Sequence, residues 1–322
     1  MKKGKKLYSA ILVVVLMFTM STVSLASDQT ITQAHTYDVI PGTEEWENLT
    51  VEERVEASFV SEEESSKMTT EALLETILNY PYWINVYAYG NIRYGIDVVA
   101  SYFPPLNEFL QREDALDVIN NYLDNCPALL DGNEIDLNVY GAQSLLIKLG
   151  GTEPLTEAVT RSYDGVVLTP RKTEVDVTYD LDWAEQTIIQ GQYVNYDIAE
   201  EQSELYEQIF TSAEILRDPA PDYNCHSYAW YTQATNNNCW LWDPSAYTTD
   251  GSYRSAGTAV NNRVTYTRVG TGVIEHSGII TSVSSGPAIV TSKWGPLSLF
   301  RHEVQDCPYA VGSVSVGLWA RA

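Results

Sequence analysis

The stretch YNCHSYAWY, residues 223–231, places a cysteine and a histidine side by side where a short helical run begins. The chain of 322 residues holds only four cysteines and four histidines. Asn224 is a favoured N-cap type, so Cys225 is expected in the first turn, beside backbone N–H groups that lack a partner within the helix. Such a position favours a thiolate and can bind an oxyanion. Cys225 is therefore either a nucleophile or a buried thiol with a histidine neighbour by chance.

Four short runs rich in β-branched residues follow this helix, separated by Gly, Pro and Ser turns: VTYTRVG, HSGIITSV, AIVTSKW and SVSVGLWAR. A helix followed by antiparallel strands predicts an α+β module over residues 215–322. The linker DPAPDY, residues 218–223, leads the chain to Cys225.

His276, at the head of the second of these runs, is the expected base for Cys225. A histidine on a strand facing a cysteine on a helix is the arrangement that thiol enzymes of acyl transfer need. His226 is a poorer base because adjacent helical side chains point to different sides. We expect it to pack or to make a structural hydrogen bond.

The side chain that orients His276 depends on the loop before the next strand, AIVTSKWG, residues 288–295. Two or four unpaired residues would put Lys293 on the face of His276, whereas three or five would put Ser292 and Trp294 there. A lysine does not stabilise an imidazolium, so catalysis requires the odd loop. Lys293 is then expected to be a solvated strand residue.

These residues resemble the papain-like cysteine peptidases, which include the NlpC-like cell-wall hydrolases. In papain relatives the third group is the Asn of an Asn-Ser-Trp-Gly segment. The matching segment here is SKWG, with Ser292 in the Asn place, sixteen residues after His276. The resemblance implies a catalytic set of Cys225, His276 and Ser292 on a helix packed against an antiparallel β-sheet. An NlpC-like topology would make His302 the third group instead.

Two family features are missing. The Gln that papain relatives place before the nucleophile has no counterpart in DPAPDYN, and Asn224 stands where NlpC-like enzymes carry Asp. The whole chain is also similar to a group of secreted Gram-positive bacterial proteins that share TTEALLETILNYPY, residues 69–82, and YNCHSYAWY. The missing Gln and the replaced Asn favour an alternative, a catalytically inactive papain-like fold that acts as an extracellular binding or surface protein.

The N-terminus predicts export. MKKGKK supplies a basic start, AILVVVLMF is a short apolar run, and Ser24 and Ala26 are small residues at a cleavage site. We expect residues 1–26 to be a signal peptide, residues 27–45 a disordered lead-in, and the mature protein to be secreted to the cell envelope of a Gram-positive bacterium, without a membrane span.

Helical patterns occupy residues 46–125. Thr50 and Glu53 have the spacing of a reciprocal N-cap, and four apolar residues of MTTEALLETILNYPY share one helical face. PPLNEFLQREDALDVINNYLDN, residues 104–125, repeats apolar residues at helical spacing. We expect an acidic helical domain here, acting as a targeting unit or as an inhibitory pro-region whose removal raises activity.

Residues 126–214 give a weaker, mixed signal. A hairpin is predicted with its turn at Thr169-Pro170 and alternating Val175, Val177 and Tyr179 after it. An amphipathic helix is predicted over EEQSELYEQIFTSAEILR, residues 200–217.

Acidity is concentrated in one part of the chain. Residues 27–224 hold nine basic and 38 acidic residues, whereas residues 225–322 hold six and five. An acidic surface repels nucleic acid and anionic membranes, so neither is an expected partner. The remaining expectation is a peptide or amide substrate, with cell-wall peptide as the candidate.

The other cysteines are Cys126, Cys239 and Cys307, and export permits disulfides among them. Cys239 with Cys307 is the first pair to test. No C-x-x-C or clustered His/Cys spacing supports zinc, and the expected mechanism, a thiolate of Cys225 paired with the imidazolium of His276, needs no metal or organic cofactor.

Overall fold

A computed structural model describes residues 30–126, 130–131, 134–150, 160–169, 185–220 and 222–322. The predicted signal peptide and the first residues of the lead-in lie outside the described residues. The α-helices, numbered in chain order, are α1 (Glu44–Glu47), α2 (Val51–Ala57), α3 (Glu62–Lys67), α4 (Thr70–Leu78), α5 (Ile92–Ala100), α6 (Pro104–Phe109), α7 (Ala115–Asn125), α8 (Leu137–Lys148), α9 (Tyr196–Ile209) and α10 (Ser245–Thr249).

Short helical turns of other kinds complete the helical structure. 3-10 turns span Trp83–Ala88 and Pro308–Ala310, and a π-helical turn spans Ser227–Tyr231. The strands are β1 (Leu130–Asp131), β2 (Glu134–Ile135), β3 (Thr160–Thr169), β4 (Glu185–Asn195), β5 (Glu214–Arg217), β6 (Cys239–Leu241), β7 (Tyr253–Ser255), β8 (Arg263–Arg268), β9 (Ile274–Ser282), β10 (Ile289–Lys293), β11 (Leu299–Glu303) and β12 (Val314–Arg321).

An antiparallel sheet organises the second half of the chain. Its order is β5-β11-β10-β9-β8-β12-β7. A smaller sheet, β4-β3-β6, pairs β3 antiparallel to β4 and parallel to β6. The predicted α+β class is confirmed at this level, with helices before an antiparallel sheet whose strands include the four β-branched runs.

Local capping explains where several helices begin. The Thr50 side chain accepts from the backbone N–H of Glu53, and the Glu53 carboxylate accepts from the backbone N–H of Thr50, at the start of α2. The predicted reciprocal cap is confirmed. Thr69 caps α4 in the simpler way, by accepting from the N–H of Ala72. A cap of this kind stabilises a helix by about 1 kcal/mol.

Three elements differ from the sequence predictions. Residues 104–125 form two helices, α6 and α7, separated by a turn. The helix predicted over residues 200–217 begins earlier and ends at Ile209, because Glu214–Arg217 pairs with β11 as an edge strand of the large sheet. β3 pairs along its length with β4, and the strand predicted at residues 175–179 lies outside the described residues.

The register between β9 and β10 contains a bulge. Ile289 lies opposite Ser282, which leaves residues 283–288 unpaired, but Val290 then lies opposite Ile280 and Thr291 opposite Ile279. One extra residue in β9, Thr281, thus reverses the parity set by the loop. Ser292 and Trp294 therefore share the face of His276, as the odd loop would have placed them, and Lys293 lies on the other face.

The hydrophobic core is continuous between the helices and the large sheet. One cluster of buried side chains includes Leu74 of α4, Phe210 after α9, and Trp294 and Phe300 of the sheet. Phe210 lies edge-on to Trp294 with ring centroids 5.7 Å apart. The helical region therefore shares one hydrophobic core with the large sheet.

Candidate active site

Asn224 fixes the position of the turn that carries Cys225. Its Oδ1 accepts from the backbone N–H of Ser227 at 3.0 Å, which confirms the predicted capping role. The same oxygen accepts from the N–H of Leu241 at 3.1 Å, and Nδ2 donates to the Leu241 carbonyl at 2.7 Å. One amide side chain thereby ties the start of the turn to β6, and all three groups are buried.

The turn packs on one face of β9 through a serine. His226 Nδ1 lies 2.9 Å from the Ser277 hydroxyl oxygen, and Trp230 Nε1 donates to that same oxygen at 2.9 Å. The His226 ring also hydrogen-bonds to the backbone at Ile274. The expected structural hydrogen bond of His226 is confirmed, and burial lowers its pKa to about 4.

A cavity of about 340 Å³ opens beside Cys225. The turn supplies one wall with Asn224, Cys225 and His226, and β6 with its neighbour supplies Trp240 and Trp242. The opposite wall is the 88–94 segment, which joins the first 3-10 turn to α5 and contributes five of its residues. The helical region therefore supplies one wall of the cavity that Cys225 also lines.

Buried polar contacts hold the 88–94 segment against the sheet. Glu275 accepts from Arg268 Nη2 at 2.7 Å and from the Tyr94 hydroxyl at 2.7 Å. Arg268 also donates to the Tyr89 hydroxyl at 3.2 Å. Both side chains of the ion pair are nearly inaccessible to solvent. The sequence analysis did not identify this network, since its members are far apart along the chain.

The Cys225 thiol is buried, and burial raises its pKa to about 12. The backbone N–H groups of Ser277, His226 and Cys225 itself act in the opposite direction, as does the charge of Lys293. At neutral pH the thiol of the folded protein is therefore protonated. A nucleophilic role then requires a group that removes its proton during the reaction.

His276 has a different environment from the one expected. Its ring stacks on Tyr309 with centroids 3.6 Å apart and planes 3° apart. Within the described part of the chain neither ring nitrogen has a hydrogen-bond partner, Cys225 included. Burial, together with the charges of His302 and His226, lowers the pKa of His276 well below its usual value. The thiol and the imidazole are thus both neutral, the opposite of the expected ion pair.

Ser292 contacts the other candidate histidine. Its hydroxyl oxygen lies 2.8 Å from His302 Nε2 and accepts from Trp294 Nε1 at 3.0 Å. His302 Nδ1 lies 2.7 Å from the Glu303 carbonyl, to which it donates, so Nε2 accepts from Ser292. Ser292 and His302 therefore form a bonded pair, and the structure does not bring Ser292 into a hydrogen bond with His276.

Lys293 is the residue that the sequence analysis placed wrongly. It is completely buried rather than solvated. Its Nζ donates to the carbonyl oxygens of Gly295, at 2.8 Å, and Leu297, and lies 5.3 Å from the centre of the Tyr223 ring. Burial lowers its pKa to about 7, with Cys225 and Asp222 acting in the opposite direction. The sequence feature that indicated burial was its position as a lone lysine in a largely apolar strand, next to a tryptophan.

The remaining cysteine prediction is also wrong. Cys307 is a buried free thiol, so it does not form the expected disulfide with Cys239. Its sulfur shares a hydrogen bond with the Tyr266 hydroxyl, and burial raises its pKa to about 12. Its burial shields this thiol from reagents in the folded protein.

Comparison of the chain with protein-family models, with curated proteins and with solved structures gives no significant match. Among the described residues, every helix is too short or too polar to cross a bilayer.

Proposed function

We propose that the protein is a secreted cysteine hydrolase that cleaves a peptide or amide bond, with Cys225 as its nucleophile. The observation that carries the proposal is the position of Cys225, which is buried at the wall of a cavity of about 340 Å³, on a turn whose start is fixed by the Asn224 side chain. A reactive thiol in a pre-formed cleft with convergent polar groups is the usual form of such a site.

The reaction follows from the thiol. The Cys225 sulfur attacks the carbonyl carbon of the scissile bond, the C–N bond breaks, and the amine leaves with the proton that the thiol gave up. Water then attacks the thioester, which releases a carboxylic acid and restores the thiol. The backbone N–H groups of His226 and Ser277 lower the pKa of the Cys225 thiol, and in this proposal they also bind negative charge that develops during these steps.

A papain-like arrangement is part of this proposal. The turn that begins with Cys225 packs on the central strand β9 of an antiparallel sheet, which supports a likeness to that family. The neutral, unpartnered ring of His276 is a departure from it. The export signal makes cell-wall peptide the first substrate to test, in the envelope of a Gram-positive bacterium.

The test is hydrolysis of purified Gram-positive peptidoglycan and of a fluorogenic peptide-amide library, with new amine termini identified by mass spectrometry. We expect turnover by the wild type and by Cys126→Ser, which changes a partly exposed thiol outside the cavity, and none by Cys225→Ala. Turnover that survives Cys225→Ala would refute the nucleophile. The absence of turnover with every substrate would favour the second candidate.

The second candidate is a non-catalytic binding protein that uses the same cavity. The specific observation in its favour is the raised pKa of Cys225 together with the unpartnered ring of His276. Aromatic side chains of Tyr89, Tyr94, Trp240 and Trp242 line the cavity and would supply most of the binding energy. Saturable binding of a cell-wall fragment that Cys225→Ala leaves unchanged, without turnover, would support it.

A further inference from the structure

We propose that Lys293, rather than His276, is the base that takes the proton from Cys225. This inference rests on the proposed function and goes beyond it by naming a catalytic residue that neither the residue pattern nor the family resemblance indicates.

The register places Lys293 on the side of the sheet where Cys225 lies. Thr291 is opposite Ile279, so Lys293 shares the face of Ser277 and Ile279. Ser277 is the residue on which the cysteine-bearing turn packs, through hydrogen bonds of its hydroxyl with His226 and Trp230. His276 points to the opposite face, against Tyr309.

The burial of Lys293 needs an explanation. Lysine is almost never fully buried unless it is paired. Among the described residues its hydrogen bonds go to two backbone carbonyls, and the charges that favour its ammonium form are those of Cys225 and Asp222. A turn that required only two donors could use a neutral side chain at lower desolvation cost. A retained amine at this depth, electrostatically coupled to Cys225, is typical of a functional group.

The two carbonyls also prepare the amine for proton transfer. A neutral amine has two N–H bonds and one lone pair. The carbonyl oxygens of Gly295 and Leu297 accept the two N–H bonds, which leaves the lone pair available. The S–H bond of Cys225 then breaks as a third N–H bond forms on Lys293, giving thiolate and ammonium.

The charged product of this transfer is also accommodated. The ammonium keeps both carbonyl contacts, and the nearby Tyr223 ring adds a cation–π attraction. When the thiolate has attacked the substrate carbonyl, the same ammonium returns a proton to the departing amine as the C–N bond breaks. The proton count is then balanced, and Lys293 is neutral again.

The experiment is the pH profile of iodoacetamide alkylation at Cys225 in the full chain, read by peptide mass spectrometry, for wild type, Lys293→Met and the matched control His276→Gln. An internal Cys–Lys transfer does not change the proton count, so the wild-type rate should level off between about pH 7 and about pH 9. In Lys293→Met the rate should climb about tenfold per pH unit over that window and lie at least about tenfold below wild type at its start.

The outcomes separate the inference from the function. A plateau lost in Lys293→Met and kept in His276→Gln supports the inference. A plateau lost only in His276→Gln overturns it and leaves Cys225 as a nucleophile with the expected base. A wild-type profile that follows an ordinary thiol titration overturns both the inference and the proposed hydrolase.

A second measurement covers the case in which Lys293→Met does not fold, as judged by near-ultraviolet circular dichroism. Isotope-labelled lysine allows the Lys293 side chain to be titrated by NMR in wild type and in Cys225→Ala. The inference requires its pKa to fall when the thiol is removed, because the Cys225 charge favours the ammonium. An unchanged titration would show that the two groups are not coupled and would overturn the inference.

Discussion

His226 Nδ1 lies 2.9 Å from the hydroxyl oxygen of Ser277, so the cysteine-bearing turn is fastened to the face of β9 that His276 does not occupy. Adjacent residues of one strand thus serve opposite sides of the sheet: Ser277 contacts the turn, and His276 contacts the core shared with the helices. The chemistry available to Cys225 is determined by this alternation.

Replacing Ser277 should weaken the attachment of the turn. Ser277→Ala removes the hydroxyl that bonds both His226 and Trp230, and leaves buried polar groups without that partner. We expect the free energy of unfolding to fall by about 1–3 kcal/mol, measured by urea denaturation. Ser313→Ala, at an exposed serine, should change it by less than about 0.5 kcal/mol. Equal effects of the two substitutions would contradict the prediction.

Acid should destabilise the protein through its buried imidazoles. Burial lowers the pKa of His226 and of His302 to about 4, whereas each takes up a proton near 6.5 when unfolded. The unfolded chain therefore binds more protons than the folded chain as the pH falls from 6.5 to about 4, and stability decreases over that window.

The size of this effect is measurable by urea denaturation. Between about pH 7 and about pH 4.5 each of these histidines should lower the free energy of unfolding by on the order of 2 kcal/mol. His302→Gln retains hydrogen-bonding capacity at the site. In this variant the free energy of unfolding should differ less between the two pH values than in wild type, by about that amount. A difference that His302→Gln leaves unchanged would contradict the contribution assigned to His302.

Gly295 should not accept a side chain. Its φ is +55°, and an added Cβ would lie 2.5 Å from the Ala88 carbonyl oxygen, where the sheet meets the 88–94 segment. We expect Gly295→Ala to lower the free energy of unfolding by about 2 kcal/mol or more. Gly272 is the matched control, because its φ is +71° and nothing lies within 4 Å of an added Cβ. Gly272→Ala should lower the free energy of unfolding by only about 1 kcal/mol. Similar decreases at the two sites would count against a steric cause.

Deleting the helical region should prevent folding rather than release activity. A chain that begins at residue 126 would expose core side chains that pack with the helical region, among them Phe210, whose ring centroid lies 5.8 Å from that of Tyr82. We expect this truncated chain to aggregate or to lack near-ultraviolet circular dichroism. A monomeric, folded fragment with increased hydrolytic activity would restore the hypothesis of an inhibitory pro-region.

The cysteine state can be checked without activity. Alkylation under non-reducing conditions should leave Cys307 unlabelled in the folded protein and label it once the chain is unfolded in urea, because the thiol is free but buried. A peptide in which Cys307 is joined to Cys239 would contradict this.

The sequence predicted four of the seven strands of the large sheet, β8, β9, β10 and β12, and the caps at Thr50 and Asn224, because these depend on residues close together in the chain. It left open which side chains share the face of His276, because the length of the unpaired loop was unknown. The loop of residues 283–288 has an even number of residues, and the bulge at Thr281 in β9 then reverses the parity. Periodicity alone does not reveal a bulge.

The environment of the candidate site was less predictable. The surroundings of Lys293 and the wall formed by the 88–94 segment depend on contacts between residues far apart in sequence. The wrong prediction for Lys293 came from treating a charged strand residue as solvated, which is the usual case. Its position next to Trp294, in a strand otherwise apolar or small, was the one feature that argued for burial.

The bulge in β9 opposite the start of β10 also has an evolutionary consequence. Because successive strand residues face opposite ways, gain or loss of a single residue before Val290 would exchange the groups offered to the thiol, presenting Ser292 and Trp294 in place of Lys293. A lineage could thus switch between amine and hydroxyl chemistry by a length change in a surface loop, with every residue of the site conserved in identity.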